Sequence, residues 1–187
     1  MIATDVQRHF FNVDDYYKIY NAGVFSEDDR IELIEGEIIH MTPIGSQHAA
    51  CINRLTNLFA VCFKGRAIIS VQNPLRLSQT SEPEPDVVIL KPQDNFYAKA
   101  HPQSSDVFLA VEVADSSLPY DKDIKLPLYA KYGIPEVWII NLSQDQIEAY
   151  SEPVEGSYRN NFIYRRNQTI FSAAFEEDSF AVNEILP

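Results

Sequence analysis

AVEVADSSLPYDKDIK, Ala110 to Lys125, opens as a buried strand and then places an ionisable group, Glu112, among valines. A carboxylate there is costly without a partner, several kcal/mol in real proteins, so a positive charge or a metal ion must face it. The residues around it set the fold. Val107 to Val113 is apolar on both faces, with Val107, Leu109, Val111 and Val113 on one and Phe108, Ala110 and Glu112 on the other. Such strands belong in the middle of a covered sheet. Downstream, Ile124 to Tyr132 has helical spacing and ends at Gly133, and a second apolar strand starts at about Glu136. Strand, helix, strand over Val107 to Asn141 is a crossover unit, which calls for parallel strands.

Working outward, Asp86 follows Pro85 and begins the short strand DVVIL. Ala67 to Leu77 reads as a strand whose far end is weakened by Pro74. Ser46 to Phe63 reads as a helix, since His48, Ile52, Leu55, Phe59 and Cys62 recur at three to four residue steps. RIELIEGEIIHM has two apolar arms around Glu35–Gly36, a hairpin signal. Val13 to Ala22 is a further helix, with Asn12 as its N-cap and Gly23 as its stop. From Gln146 the chain alternates like a hairpin around Pro153–Gly156. The class is α/β or α+β with a mixed sheet.

Composition narrows the functions. The chain has 187 residues, a net charge of −12 and a pI of about 4.6, which excludes a protein that coats nucleic acid through a broad basic face. Divalent cations can supply the missing positive charge locally, so metal-assisted phosphate chemistry stays open. Cys51 and Cys62 sit eleven residues apart on one helix, roughly 16 Å at the helical rise, too far for a disulfide. Two cysteines also exclude a thiolate zinc cluster. No apolar run approaches the roughly 20 residues that cross a bilayer, and MIATDVQRHFFNVDD has no signal-peptide core. A cytoplasmic protein without membrane attachment is the expectation.

The acidic groups point to chemistry. With the strands of Asp86 and Glu112 side by side, two hard oxygen ligands would converge at one sheet edge, as a Mg²⁺ or Mn²⁺ site needs. The bland alternatives are specific. Asp86 can cap a turn after Pro85, Glu112 can form a structural ion pair, and Lys125 can pair with Asp121 four residues before it. On the same footing His48 is a satisfied core histidine and Glu32 a solvated hairpin charge.

PEPDVVIL, AVEVADSS, DKDIK followed by Tyr129, YGIPEVWII, and upstream RIELIEGEIIHMTP and SQHAACINRL occur in this order. Together they resemble the Uma-type restriction-endonuclease-like family, once labelled a domain of unknown function. The resemblance covers about Val13 to Leu186. It is similar to the PD-(D/E)XK nucleases, which implies a single domain with a four-stranded mixed sheet flanked by helices. It also implies an N-terminal helix and hairpin (12–42), a nuclease-like core (46–141) and a C-terminal hairpin and tail (146–187). It implies that Asp86 and Glu112 bind divalent metal with the Val113 carbonyl as a third ligand, that Lys125 positions the attacking water, and that Glu32 and His48 contribute nearby. DNA is the implied substrate and a homodimer the implied assembly.

One departure stands out. The parent motif carries its lysine two residues after the glutamate, where this chain has Ala114. Lys125 is expected to replace it from a helix starting near Ile124, which would put Pro127 in the first turn and Lys125 at the helix N-terminus. The competing expectation is a catalytically degenerate fold serving as a protein-binding or assembly module, with Phe96, Tyr97 and Tyr120 exposed toward a partner. Arg54, Lys64, Arg66 and Arg76 gathered around one groove would favour the enzyme.

Overall fold

The computed structural model of the chain describes residues 7–26 and 28–187; residues 1–6, the start of the N-terminal stretch quoted above, lie outside the described residues. Six strands form the central sheet in the order β3 (Ile68–Val71), β4 (Val87–Leu90), β5 (Val107–Ala114), β6 (Glu136–Asn141), β7 (Gln146–Val154) and β8 (Ser157–Arg165). Only the β5–β6 pair is parallel. The expected four strands are therefore β3 to β6, and the C-terminal hairpin β7–β8 adds two more to the same sheet. Its turn, Glu155–Gly156, has both φ values positive, the conformation that matches the twist of paired strands.

Both faces of the sheet are covered. On one lie α2 (Ser46–Cys62), the β9 (Thr169–Ser172) and β10 (Phe175–Ala181) hairpin and α5 (Val182–Ile185). Leu55 and Phe59 of α2 meet Ile89, Val111 and Trp138 there. The inward stripe expected for α2 holds for Ile52, Leu55 and Phe59, while His48 and Cys62 are half-buried at its margins. On the other face the crossover helix packs Leu128 and Tyr129 against Val88, Ala110, Val137 and Ile139. The N-terminal unit, α1 (Val13–Asn21) with β1 (Ile31–Ile34) and β2 (Glu37–His40), has its own small core of Val13, Tyr16, Ile31 and Leu33. Asn12 caps α1 by accepting the Asp15 N–H. The hairpin turns through Glu35 and Gly36, both at positive φ, and a Cβ on Gly36 would meet Phe10 Cβ at 2.6 Å. Among the described residues no helix is long and apolar enough to cross a membrane.

Three expectations are corrected. The strand read as Ala67 to Leu77 stops at Val71, because Gln72 adopts φ +49° and turns the chain away. The alternation of β5 slips at its start: Leu90 pairs with Val107 but Ile89 with Leu109, so Phe108 is an extra residue. Val107 consequently shares the crossover-helix side with Ala110 and Ala114, and Phe108 lies with Leu109 on the other.

The third correction matters most. The crossover helix begins at Leu118, and runs as α3 (Leu118–Tyr120), a π turn (Asp121–Lys125) and α4 (Leu126–Lys131). Pro127 is thus inside a continuous helix. Leu126 N–H bonds to Asp121 O, five residues back, and this wide turn lies immediately before the proline. Proline has no N–H to give and its ring crowds the preceding turn, so a locally widened helix accommodates it. Lys125 is consequently a mid-helix residue, and its charge does not oppose a helix N-terminus.

Candidate active site

The β4–β5 pairing of Val87 with Val111, extended by one residue, sets Asp86 opposite Glu112. Neighbours in that relation have Cβ atoms about 5 Å apart. Both carboxylates therefore meet at the sheet edge anticipated from the sequence, at a cavity of about 290 Å³. The cavity is also lined by Glu32, His48, Tyr120, Asp121 and Lys125. All five residues assigned a side-chain role by the resemblance are thus in one place.

Asp86 is fixed from three sides. His48 Nε2 lies 3.0 Å from its Oδ2, the Val113 N–H donates to the same oxygen at 2.8 Å, and Gln72 Nε2 donates to Oδ1 at 3.1 Å. An ionised carboxylate only accepts, so His48 presents Nε2–H; its Nδ1 is buried without a partner among the described residues. Burial pushes the Asp86 carboxyl upward, but His48 and the Val113 N–H outweigh it and hold it below the usual range. His48 is therefore no core histidine satisfied elsewhere, and Asp86 is no turn cap. Val113 contributes its N–H.

Glu112 finds its positive charge in Lys125. The ammonium lies 3.3 Å from Glu112 Oε1 and 3.2 Å from Glu32 Oε2. Tyr129 OH, one α-turn further along the helix, donates to Glu112 Oε1 at 2.5 Å. Glu32 is fully buried, accepting from Tyr120 OH and the Glu84 N–H, each at 3.0 Å. The reading of Glu32 as a solvated hairpin charge is therefore overturned: both faces of β1 are covered, and its carboxylate turns into the cavity. So is the pairing of Lys125 with Asp121, which instead accepts from Ser117 Oγ at 2.6 Å. The π turn changes the angular spacing on which an i, i+4 pair depends.

The cavity is strongly electronegative. Six carboxylates line it (Glu32, Glu84, Asp86, Glu112, Asp115, Asp121) against two cations, Arg30 and Lys125. Glu112 is driven well above its ordinary value by burial and by Asp121 and Asp86, more than Lys125 and Tyr129 lower it. Asp121 is raised by burial, as is Glu84, with Glu32 adding to the latter. Lys125 stays charged: burial lowers its affinity for the proton, and Glu112 and Glu32 more than restore it.

A divalent cation fits this donor set. All of the carboxylates are hard oxygen donors, the kind that Mg²⁺ and Mn²⁺ accept. Among the described residues no three His, Cys, Asp or Glu side chains form a ready-made cage. Mg²⁺ does not need one, since it is typically held by one or two carboxylates plus water and substrate phosphate.

Sequence reasoning missed Gln72, Glu84 and Tyr120 as members of the site. Tyr120, expected to be an exposed contact for a partner, is half-buried and bonded to Glu32; Phe96 is exposed as expected, and Tyr97 OH is tied to the Lys91 carbonyl. The basic groove is not formed by the four residues named for it, none of which lines the cavity. Arg54 ends on the Asn183 and Leu186 carbonyls, Arg66 on Asp178 and Arg76 on Glu82.

A crystal structure from Anabaena variabilis ATCC 29413, described as "a putative nuclease belonging to DUF820", matches with a TM-score of 0.72 over 94% of this chain and 97% of that one. At 13% identity this is a likeness of fold. No curated protein matches the sequence. The Uma2 family model, described as "Putative restriction endonuclease", matches residues 13–183, and the chain belongs to that family.

Proposed function

We propose that the protein is a Mg²⁺- or Mn²⁺-dependent nuclease that hydrolyses phosphodiester bonds in DNA. The observation that carries this reading is the convergence of Asp86 and Glu112, from paired strands, with Lys125 standing over Glu112 from the π turn. In the reaction a water oxygen bonds to phosphorus, one P–O ester bond breaks, and the leaving oxygen takes a proton. A bound divalent cation would neutralise charge on the phosphate and favour the deprotonated form of the water.

The chain's own groups set the geometry. Asp86 and Glu112 are the side chains that would hold the cation, and the Val113 carbonyl is the backbone ligand we assign beside them. His48, Gln72 and the Val113 N–H keep the Asp86 carboxylate ionised and aimed. Lys125 has three N–H donors on its ammonium and two neighbouring carboxylates. Its remaining donor capacity serves the attacking water in the cavity it lines. Glu32 and Tyr129 anchor that lysine and that glutamate in place.

The absence of Arg54, Lys64, Arg66 and Arg76 from the cavity favours a second reading, a nuclease fold retained as a binding module. One experiment separates the two. DNA is incubated with purified protein and Mn²⁺, beside Asp86→Ala. Cleavage by the wild type that the variant loses, with an unchanged circular dichroism spectrum, is expected for the enzyme. Cleavage retained by Asp86→Ala would sink this site assignment.

A further inference from the structure

A second cavity, of about 380 Å³, lies beside the first and shares Arg30 and Glu84 with it as a common wall. Its lining includes Tyr16, Tyr17 and Tyr20 of α1 and His101, with the carboxylates of Asp29, Glu82 and Glu84 around Arg30. Several of its polar groups are fixed: Tyr17 OH donates to Glu82 Oε1 at 2.7 Å and stands 3.2 Å from His101 Nε2, and Tyr16 OH donates to the Ile31 carbonyl at 3.1 Å. Nothing in the hydrolysis described above uses these residues.

Arg30 is the unusual member. Lys125 is held by two buried carboxylates, but Arg30 makes no ion pair among the described residues. Its guanidinium reaches the Thr42 carbonyl at 3.2 Å and Met41 Sδ at 3.9 Å, which leaves most of its five donors free. An arginine at the mouth of a carboxylate-rich cavity, near Glu84 but in no ion pair among the described residues, is placed for an anion that arrives from outside.

The charge balance indicates what kind of nucleic acid arrives. Duplex binding draws much of its affinity from Lys and Arg set against backbone phosphates. This chain has a net charge of −12 and brings two cations to the cavity. The affinity that remains available is stacking on aromatic rings, worth about 1–3 kcal/mol per base, and a stacked base in a side cavity must be unpaired.

Resting on the nuclease reading, we propose that the second cavity is a nucleotide subsite. Arg30 holds the phosphate next to the one that is cleaved, Tyr20 near the end of α1 stacks the unpaired base beyond it, and the substrate is single-stranded DNA. Entry of a base past Arg30 fixes which phosphate reaches Asp86 and Glu112.

The test uses a fluorescein-labelled single-stranded 12-mer of mixed sequence, and the same 12-mer as a duplex, with wild type, Tyr20→Ala and Arg30→Gln. Tyr20 is half-buried at the margin of the N-terminal core, so the fold of its variant is checked by circular dichroism. Tyr20→Ala is expected to weaken single-strand binding about 5- to 150-fold, the range set by one stacked base, and to raise KM more than it lowers kcat. Arg30→Gln is expected to flatten the dependence of log K on log salt by about 0.7, one phosphate contact on a single strand. Replacing one nucleotide at a time by an abasic residue should reveal one position that matters to wild type and no longer matters to Tyr20→Ala. The Mn²⁺ titration of Tyr20→Ala should match wild type. Cleavage by wild type with single-strand affinity, KM and salt slope unchanged in both variants overturns the subsite and leaves the nuclease reading standing. Tighter binding of the duplex than of the single strand overturns the substrate assignment. Neither binding nor cleavage of either form by wild type brings down the nuclease reading and the subsite together.

Discussion

Lys125 Nζ stands 3.3 Å from Glu112 Oε1, so a lysine of the crossover helix faces the glutamate of β5, whose own strand carries Ala114 two residues on. The same ammonium reaches Glu32, which ties the N-terminal hairpin to the central sheet through one buried cation.

That arrangement makes Lys125 a stability determinant as well as a site residue. Lys125→Met leaves Glu32 and Glu112 buried without their cation. Removing one partner of a buried ion pair costs about 3–5 kcal/mol. Urea unfolding of Lys125→Met should show a loss of that size, and Glu112→Gln in the same chain should recover part of it. An unchanged urea midpoint would show that neither carboxylate depends on the lysine.

The π turn is expected to be required for the site. Asp123 is exposed within it, and its side chain carries none of the contacts described above. Deleting Asp123 removes the extra residue and rotates one end of the helix by about 100° relative to the other. Either Lys125 or the Asp121 end then leaves the cavity. Cleavage should be lost in the deletion and kept in Asp123→Ala. Equal activity in the two would show that the widened turn only accommodates Pro127.

His48 and Gln72 orient Asp86 without being assigned to the metal. Partners of this kind typically cost 10- to 100-fold in metal affinity or activity when removed. His48→Ala should therefore bind Mn²⁺ about 10- to 100-fold more weakly by calorimetry, and Gln72→Ala should follow in the same direction. Full affinity in both variants would mean that Asp86 is held by its strand and the Val113 N–H alone.

Acid stability should depend on Glu148, away from the candidate site. Burial pushes its carboxyl up, but Lys122 at 2.8 Å, Tyr150 OH at 2.6 Å and Gln146 at 3.2 Å prevail, and it titrates below its usual range. A carboxylate depressed in the folded state contributes stability above its unfolded pKa of about 4.3, and loses it as pH falls through the folded value. Between pH 6 and pH 3 the wild-type urea midpoint should fall more steeply than that of Glu148→Gln. Parallel slopes would contradict this.

How much of this was legible in the sequence follows from the range of each interaction. Strand, helix, strand from Val107 to Asn141 was readable because apolar periodicity is local, and the Glu35–Gly36 turn because few residue pairs suit two positive φ values. Asp86 and Glu112 were readable as a pair because Pro85 and the valines marked unusual positions for charge. The bulge at Phe108 was hidden, since it is set by the partner strand and not by β5 itself. So was the π turn: DKDIKLP spells an ordinary helix start, and only the position of Leu118 upstream makes Pro127 internal. Glu32 looked solvated because burial of a hairpin face depends on what packs against it, here Tyr120 and Lys125 from 88 and 93 residues further along. Gln72 carried no sequence signal at all.

The measurement closest to the central claim is a calorimetric titration of Mn²⁺ into metal-free protein, beside Asp86→Asn and Glu112→Gln. The account predicts one binding event in the wild type that both variants lose while their thermal unfolding stays cooperative. Undiminished Mn²⁺ binding by the two variants would contradict it, since the cation would then sit somewhere other than between Asp86 and Glu112.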